Sequence, residues 1–257
     1  MLATLFLFIK IHIYQMEFTK ENIKLICADN MKIMEQYPDN YFDWACVDPE
    51  YGIGASKPSK KPNKCKQKNG TILNVKSPVY KHKDWDNKPA GKEYFNEVFR
   101  ISKNQTIWGV NNYDYNLTGG RIVWDKLNGN SDQFDCEIAY NSFNNRTDIV
   151  YYMWAGMFQG LNISKDIRKA LIQQGNKKKN EKRIHPTQKP IKLYDWLYNE
   201  FGNKKMKIID TNFGSGNSAI SAYNFGFAEY LGIDIDSDYF NDAVKRFKNE
   251  TMQQRLF

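Results

Sequence analysis

Residues 48–51 read Asp48-Pro49-Glu50-Tyr51 and close the apolar run FDWACV. A buried strand thus ends in a carboxylate beside an aromatic ring, and ligands of open α/β sheets sit outside the carboxyl ends of strands. A second such end lies at 207–222, where KIIDTNFGSGNSAISA reads as strand, glycine turn and helix, with Asp210 closing the strand. Gly214, Gly216 and Ala219 satisfy the GxGxxG/A spacing of a dinucleotide-binding turn, and Asp234 closes the next strand, where an acid can bind a ribose. Glycine turns between strands and helices are common, so this spacing alone is weak evidence. Between the two carboxylate ends stands the run His185-Pro186-Thr187-Gln188-Lys189-Pro190. A lone histidine is ordinarily a satisfied structural residue, and only this context lifts His185 above that.

The order of these stretches constrains the fold. After Gly216 there remain one strand, 228–234, and one helix, whereas a dinucleotide site needs two βαβ halves continuing past its glycine turn. The N-terminal part of the chain must therefore complete the sheet. Such a permuted order brings the strand ending at Asp48 beside a nucleoside cofactor held at the glycine turn. Periodicity supplies the pieces: strands at 23–29 and 42–48, a short helix at 30–36, an amphipathic helix at 91–103, and strands at 105–110 and 121–126. A β-rich pair comes next at 136–143 and 148–154, then a helix at 190–201, a strand at 205–210, a helix to 225, a strand at 228–234 and a final helix through 247. Strands alternating with helices imply a mostly parallel sheet covered on both faces.

The 257 residues suffice for one large α/β domain, with 41% hydrophobic and 15% aromatic residues. The formal net charge of +8 and an isoelectric point near 9.1 describe a folded, basic protein whose expected partner is a polyanion. That charge is concentrated. Between 55 and 83 stand Lys57, Lys60, Lys61, Lys64, Lys66, Lys68, Lys76, Lys81 and Lys83 with no acidic residue among them, in a proline- and glycine-punctuated stretch that reads as a mobile loop. Periodicity weakens over 144–184, which ends in a second basic run, NKKKNEKR, and reads as an inserted recognition segment. Either basic run can be a solvated face, but a lysine loop directly after 48–51 favours contact with phosphates. Cys27, Cys46, Cys65 and Cys136 form no CxxC pair and have no histidine at zinc spacing, so reduced cytosolic thiols and no metal are expected. The opening 1–15 is too short and interrupted to span a bilayer; it reads as an edge strand or as an upstream start ahead of Met16. Trp44, Trp108 and Trp124 read as core aromatics, and His12 and His82 carry no assigned role.

Taken together and in this order, DPEY, HPTQKP and DTNFGSG resemble the amino-group DNA methyltransferases of the permuted, beta-type class, which use S-adenosylmethionine. QTIWGVNNY, IVWDK and YLGIDIDSDYF extend the similarity over most of the chain. The resemblance implies that Phe213, Gly214, Ser215 and Gly216 form the cofactor loop, with Asp234 on the ribose and Asp210 at the edge of that pocket. It implies further that His185, Pro186, Thr187, Gln188 and Lys189 line the methionine end of the cofactor, and that Asp48, Pro49, Glu50 and Tyr51 form the catalytic tetrapeptide. Two residues depart from the family pattern. The tetrapeptide usually reads DPPY where this chain has Glu50, and the acid of the glycine motif is usually followed by proline where this chain has Thr211.

The resemblance also implies a particular chemistry. An exocyclic amine of adenine is a poor nucleophile because its lone pair is delocalised into the ring. Hydrogen bonds from both amine protons, to the Asp48 carboxylate and the Pro49 carbonyl, let the nitrogen pyramidalise, and positioning and electrostatics then carry the rate. The base must leave the duplex, and Tyr51 offers a face on which to stack it. Glu50 leaves an active enzyme if its side chain points to solvent; pointing inward, it can repel Asp48 or bind the target base differently. The expected protein is a cytoplasmic, S-adenosylmethionine-dependent adenine-N6 methyltransferase of double-stranded DNA with a Rossmann-like, seven-strand-type α/β sheet. It comprises one catalytic domain over 16–257 and an N-terminal extension over 1–15, and it can form a homodimer. The aspartate of DPEY favours adenine over cytosine N4. The alternatives are a cytosine-N4 enzyme and a catalytically silent DNA-binding relative.

Overall fold

The computed structural model describes residues 16–57, 64–66, 70–74, 83–129, 134–155, 158–171 and 180–252. Thirteen strands are described: β1 (Met16–Lys20), β2 (Ile23–Cys27), β3 (Phe42–Val47), β4 (Lys64–Lys66), β5 (Ile72–Asn74), β6 (Ser102–Trp108), β7 (Gly120–Asp125), β8 (Cys136–Asn141), β9 (Thr147–Tyr151), β10 (Trp154–Ala155), β11 (Phe158–Gln159), β12 (Lys207–Asp210) and β13 (Glu229–Asp234). The helices are α1 (Asn30–Met34), α2 (Lys92–Ile101), α3 (Ile191–Phe201), α4 (Asn217–Phe225) and α5 (Ser237–Met252).

Nine strands form one sheet in the order β1-β2-β13-β12-β3-β6-β8-β7-β9. From β2 to β6 every neighbour is parallel, as the near-continuous apolar runs IKLIC, FDWACV and EYLGID require of strands covered on both faces. β1 and β8 run antiparallel to their neighbours. Seven strands, β2 through β7 in sheet order, make the expected core, with β1 and β9 added at its edges. The C-terminal strands lie in the middle of this sheet: β12 pairs with β3 through Ile208↔Trp44 and Ile209↔Ala45, and β13 pairs with β2 from Tyr230↔Ile23 to Asp234↔Cys27. The chain order deduced from the glycine turn is thus realised.

Two apolar layers sandwich the sheet. On one face Leu193, Leu197 and Tyr198 of α3, Ala219 and Ile220 of α4, and Phe240, Ala243 and Phe247 of α5 pack on Trp44, Ile208 and Tyr230. On the other, Ile33 and Met34 of α1 and Tyr94, Phe95, Val98 and Ile101 of α2 cover Phe42, Ala45, Ile107 and Ile209. Local signals set the ends of the helices. Asp29 caps α1 by accepting from the Met31 N–H at 2.9 Å, and Gly226 ends α4 at φ +81°, in the left-handed region that glycine enters without steric cost. No helix among the described residues is long and apolar enough to cross a membrane.

Several expected boundaries move. The strand expected at 105–110 starts at Ser102 and succeeds α2 without a loop, because Ile101 completes the buried face of the helix and Ser102 turns its hydroxyl back to the Val98 carbonyl. The segments 136–143 and 148–154 do not pair with each other; β8 and β9 flank β7 on opposite sides. Part of the lysine-rich stretch is a short β4–β5 hairpin rather than a continuous loop. Lys60, Lys61, Lys68, Lys76 and Lys81 lie outside the described residues, as do 1–15 and Lys177, Lys178 and Lys179 of the second basic run. Glu181 in that run turns inward, accepting from Gln188 Nε2 at 2.8 Å, Arg246 Nη2 at 2.9 Å and the Ile191 N–H at 3.0 Å, and so ties the run to α3 and α5.

Trp44 sits at the centre of the layered core, fully buried, with its Nε1 donating to Thr106 Oγ1 at 3.1 Å and with edge contacts to Phe143 and Tyr198. Trp44→Ala removes those contacts and leaves Thr106 without its indole donor. Urea denaturation should show a loss of about 3–5 kcal/mol, the usual cost of emptying a buried aromatic site.

Candidate active site

Because β3, β12 and β13 are adjacent and parallel, their carboxyl ends deliver Asp48, Asp210 and Asp234 to one edge of the sheet. A cleft opens there, lined by Asp48, Pro49, Glu50, Tyr51, His185, Thr187, Gln188, Lys189, Phe213, Gly214, Ser215 and Asp234 among others. Twelve of the fifteen candidate residues therefore meet in one place. Pro186, Asp210 and Gly216 do not line it. Asp210 is buried behind the turn, where its Oδ1 accepts from the Asn212 N–H at 3.1 Å, and Gly216 begins α4 at φ +76°.

The Asp48 end is a buried chain of alternating charge. Lys189 Nζ lies 2.5 Å from Asp48 Oδ1 and 3.0 Å from Glu137 Oε2, and Lys126 Nζ lies 2.6 Å from Glu137 Oε1. Tyr51 joins it, donating to Asp48 Oδ1 at 2.7 Å while its oxygen accepts from Lys189 at 2.9 Å. Burial alone would pull Lys189 down, but Asp48 and Glu137 more than offset it and keep the ammonium charged. Glu137 is held at about 2, because the two lysines outweigh its burial. Burial, with Glu137 behind it, raises the Asp48 carboxyl, and Lys189 restrains that rise. The Lys189 side chain therefore reaches two residues of the tetrapeptide, Asp48 and Tyr51. Glu137, Lys126 and Tyr113, whose hydroxyl donates to the Pro49 carbonyl at 3.0 Å, carry no sequence signal that separates them from other residues of their strands and loops.

Gly109, at the end of β6, explains where the Tyr51 ring can lie. A Cβ at Gly109 would fall 2.1 Å from the Tyr51 ring, and φ there is +75°. At the other end, the Asp234 carboxylate accepts from the Gly214 N–H at 2.9 Å and the Asp236 N–H at 2.8 Å. His185 covers the glycine turn, stacked on Trp85 with ring centroids 5.1 Å apart and edge-on to Tyr239 at 4.3 Å. Burial lowers its imidazole to about 3, so it is neutral across the physiological range. The side chain of Gln188 turns away from the cleft, donating to Glu181 and to the Lys182 carbonyl and accepting from the Ile184 N–H. Lys83, expected on phosphates, is instead paired with Asp236 at 2.8 Å and Asp238 at 2.7 Å, which straps the end of the lysine-rich stretch to the start of α5. Glu50 points inward, its Oε1 accepting from Asn212 Nδ2 at 2.9 Å. Among the described residues no group of histidine, cysteine, aspartate and glutamate is arranged to hold a metal ion.

The sheet order, the cleft at its switch point and the motif residues around it define a methyltransferase of the permuted type, and the chain belongs to the DNA methylase family, whose N6/N4-type signature matches residues 16–245. It is 25% identical over 260 residues to the type II methyltransferase M2.LlaDCHI of Lactococcus lactis subsp. cremoris, an alignment covering 89% of this chain and 90% of that protein. The solved structure of the PvuII DNA methyltransferase, described as cytosine-N4-specific, shares the fold with a TM-score of 0.51 at 9% identity, covering 93% of this chain and 94% of that one. The M1.HpyAVI–SAM complex matches with a TM-score of 0.46 at 16% identity, covering 87% of this chain and 99% of that one.

This geometry has two measurable consequences. Gly109→Ala places a methyl group inside the Tyr51 ring on a left-handed backbone, and denaturation should show a loss of about 1–3 kcal/mol with the ring displaced. Burial also pushes the Asp210 and Asp234 carboxyls up to about 7, against about 3.9 in an unfolded chain. The folded state therefore binds protons more tightly. The stability this contributes is complete below about pH 4 and is lost as pH rises through 7. The ligand-free protein should melt at a lower temperature at pH 8 than at pH 6, and Asp210→Asn should narrow that difference.

Proposed function

We propose that the protein is an S-adenosylmethionine-dependent DNA adenine-N6 methyltransferase, with one catalytic domain over 16–257 and a target-recognition segment over 144–184. The observation that carries the reading is the placement of the Asp48 carboxylate, the Pro49 carbonyl and the Tyr51 hydroxyl and ring beside the turn at 213–216 and Asp234. The residues present suit a cationic nucleoside. Gly214 leaves the space before His185 open, a Cβ there standing 3.7 Å from the imidazole, and His185 itself adds no positive charge. Asp234 keeps lone pairs for ribose hydroxyls beyond the two backbone amides it holds. When bound there, S-adenosylmethionine supplies an electrophilic methyl group.

The chain's own groups supply the rest. With Oδ1 of Asp48 taken by Lys189 and Tyr51, Oδ2 is the oxygen open to an amine proton, and the Pro49 carbonyl takes the other. Both acceptors draw the amine out of conjugation and aim its lone pair. Lys189 favours the charged form of Asp48 and fixes it in place, and Glu137 and Lys126 hold Lys189. Adenine is favoured because the tetrapeptide opens with an aspartate. The net charge of +8 and the two basic runs support DNA as the substrate.

The test is transfer of tritiated methyl from S-adenosylmethionine to unmethylated duplex DNA, followed by nucleoside analysis. N6-methyladenine is the expected product; N4-methylcytosine would transfer the reading to the cytosine class, and no incorporation at all would favour the silent DNA-binding relative. Asp48→Ala should abolish transfer while leaving cofactor binding largely intact, because the lost interaction belongs to the transition state. Tyr51→Ala should weaken capture of the flipped base by roughly 1–3 kcal/mol, the range for base stacking on aromatic residues.

A further inference from the structure

The two departures from the family pattern lie on one hydrogen-bond chain. Thr211 Oγ1 donates to Asn212 Oδ1 at 2.8 Å, so the 2.6 Å contact between Tyr94 and Thr211 has the Tyr94 hydroxyl as donor. With its oxygen engaged, the Asn212 amide aims Nδ2 at Glu50 Oε1, 2.9 Å away. Three donors in series end on one carboxylate, and such a series polarises each member in the same sense. A proline at 211 has no hydroxyl to start this orientation, and a proline at 50 has no carboxylate to receive it.

Charge matching around the cleft singles out the same residue. Asp48 faces Lys189, and Asp236 faces Lys83. Asp86 accepts from the Gly52 N–H at 2.8 Å and the Ala55 N–H at 2.7 Å, and Asp234 likewise holds two backbone amides. Among these cleft-lining carboxylates Glu50 has neither a cation nor a pair of outside backbone amides; its donors are the neutral Asn212 amide and its own N–H. Burial, together with the nearby Asp86 and Asp48 charges, raises its carboxyl above the ordinary glutamate value, the state of an acid that lacks its counter-ion.

We propose that Glu50, oriented by Tyr94, Thr211 and Asn212, is the counter-charge for the α-ammonium of the cofactor's amino-acid arm; this rests on the reading of the cleft as an S-adenosylmethionine site. Glu50 lies in the tetrapeptide beside Asp48 and lines the same cleft as Asp234, whose carboxyl its charge also raises. Of the two cationic groups of S-adenosylmethionine, only the ammonium carries N–H donors for a carboxylate. The two departures are then one subsite rather than two tolerated substitutions, and Glu50 is not a neutral replacement for proline.

Calorimetry with S-adenosylhomocysteine and with 5′-methylthioadenosine separates the possibilities, since both carry the adenosine and an uncharged sulfur but only the first has the amino-acid arm. Glu50→Gln keeps an acceptor for Asn212, and a thermal melt checks that it folds. The expected result is a loss of roughly 10- to 100-fold in S-adenosylhomocysteine affinity, the range for a hydrogen bond to a charged group, with methylthioadenosine changed by less than about twofold. Thr211→Val should give a smaller loss with the same selectivity. Equal weakening of both ligands, or of neither, overturns the proposal. If the wild-type protein binds neither ligand, the cofactor reading beneath it falls as well.

Discussion

The parallel pairing of β12 with β3 is the contact on which the rest of the structure depends. It joins a strand from the last fifth of the chain to one from the first fifth, and it is made by a few backbone hydrogen bonds around Ile208↔Trp44 and Ile209↔Ala45. Because the strands run the same way, their carboxyl ends coincide, and the tetrapeptide after β3 meets the glycine turn after β12 without any loop having to reach across the sheet. An antiparallel pairing would place Asp48 and Asp210 at opposite edges. The large apolar side chains on either side, Trp44, Tyr198 and Phe227 on one face and Phe42 and Phe95 on the other, make that register the one in which both sheet faces are covered.

The site built on this pairing carries an unusual amount of buried charge. Four ionised groups, Asp48, Lys189, Glu137 and Lys126, alternate in sign and sum to zero, so each is compensated although water is largely excluded. Such a chain is poor evidence for stability, since desolvation offsets much of the attraction. Its consequence is positional. Losing any one member would leave a neighbouring charge buried and unmatched, and the shared contacts hold Asp48 in one orientation. The Tyr51 ring is confined in turn by the bare backbone of Gly109, and the Pro49 carbonyl is held by Tyr113.

Much of this was legible in the residues. The apolar runs of β2, β3, β12 and β13, the amphipathic α2 and the glycine turn are signals of local periodicity and backbone freedom, which act over a few residues and are therefore written in a few residues. The permuted order came from counting what remained after Gly216. The meeting of DPEY, HPTQKP and the glycine turn in one cleft was legible because each motif closes or adjoins an element whose direction the sheet dictates.

What tertiary structure alone decided concerns partners far apart in the chain. Nothing within CEIAY marks Glu137 as the group that holds Lys189, since the 51 residues between them have to fold before the two charges meet. Gln188 and Lys189 are neighbours in one motif, yet one turns to Glu181 and the other to Asp48, because side chains of adjacent residues project in different directions. β8 and β9 look like a hairpin pair but flank β7, a choice made by sheet order and not by strand propensity. The direction of Glu50 was open in the sequence for the same reason. Only the arrival of Asn212 from the far end of the chain, oriented by Thr211 and Tyr94, turns that carboxylate into the cleft.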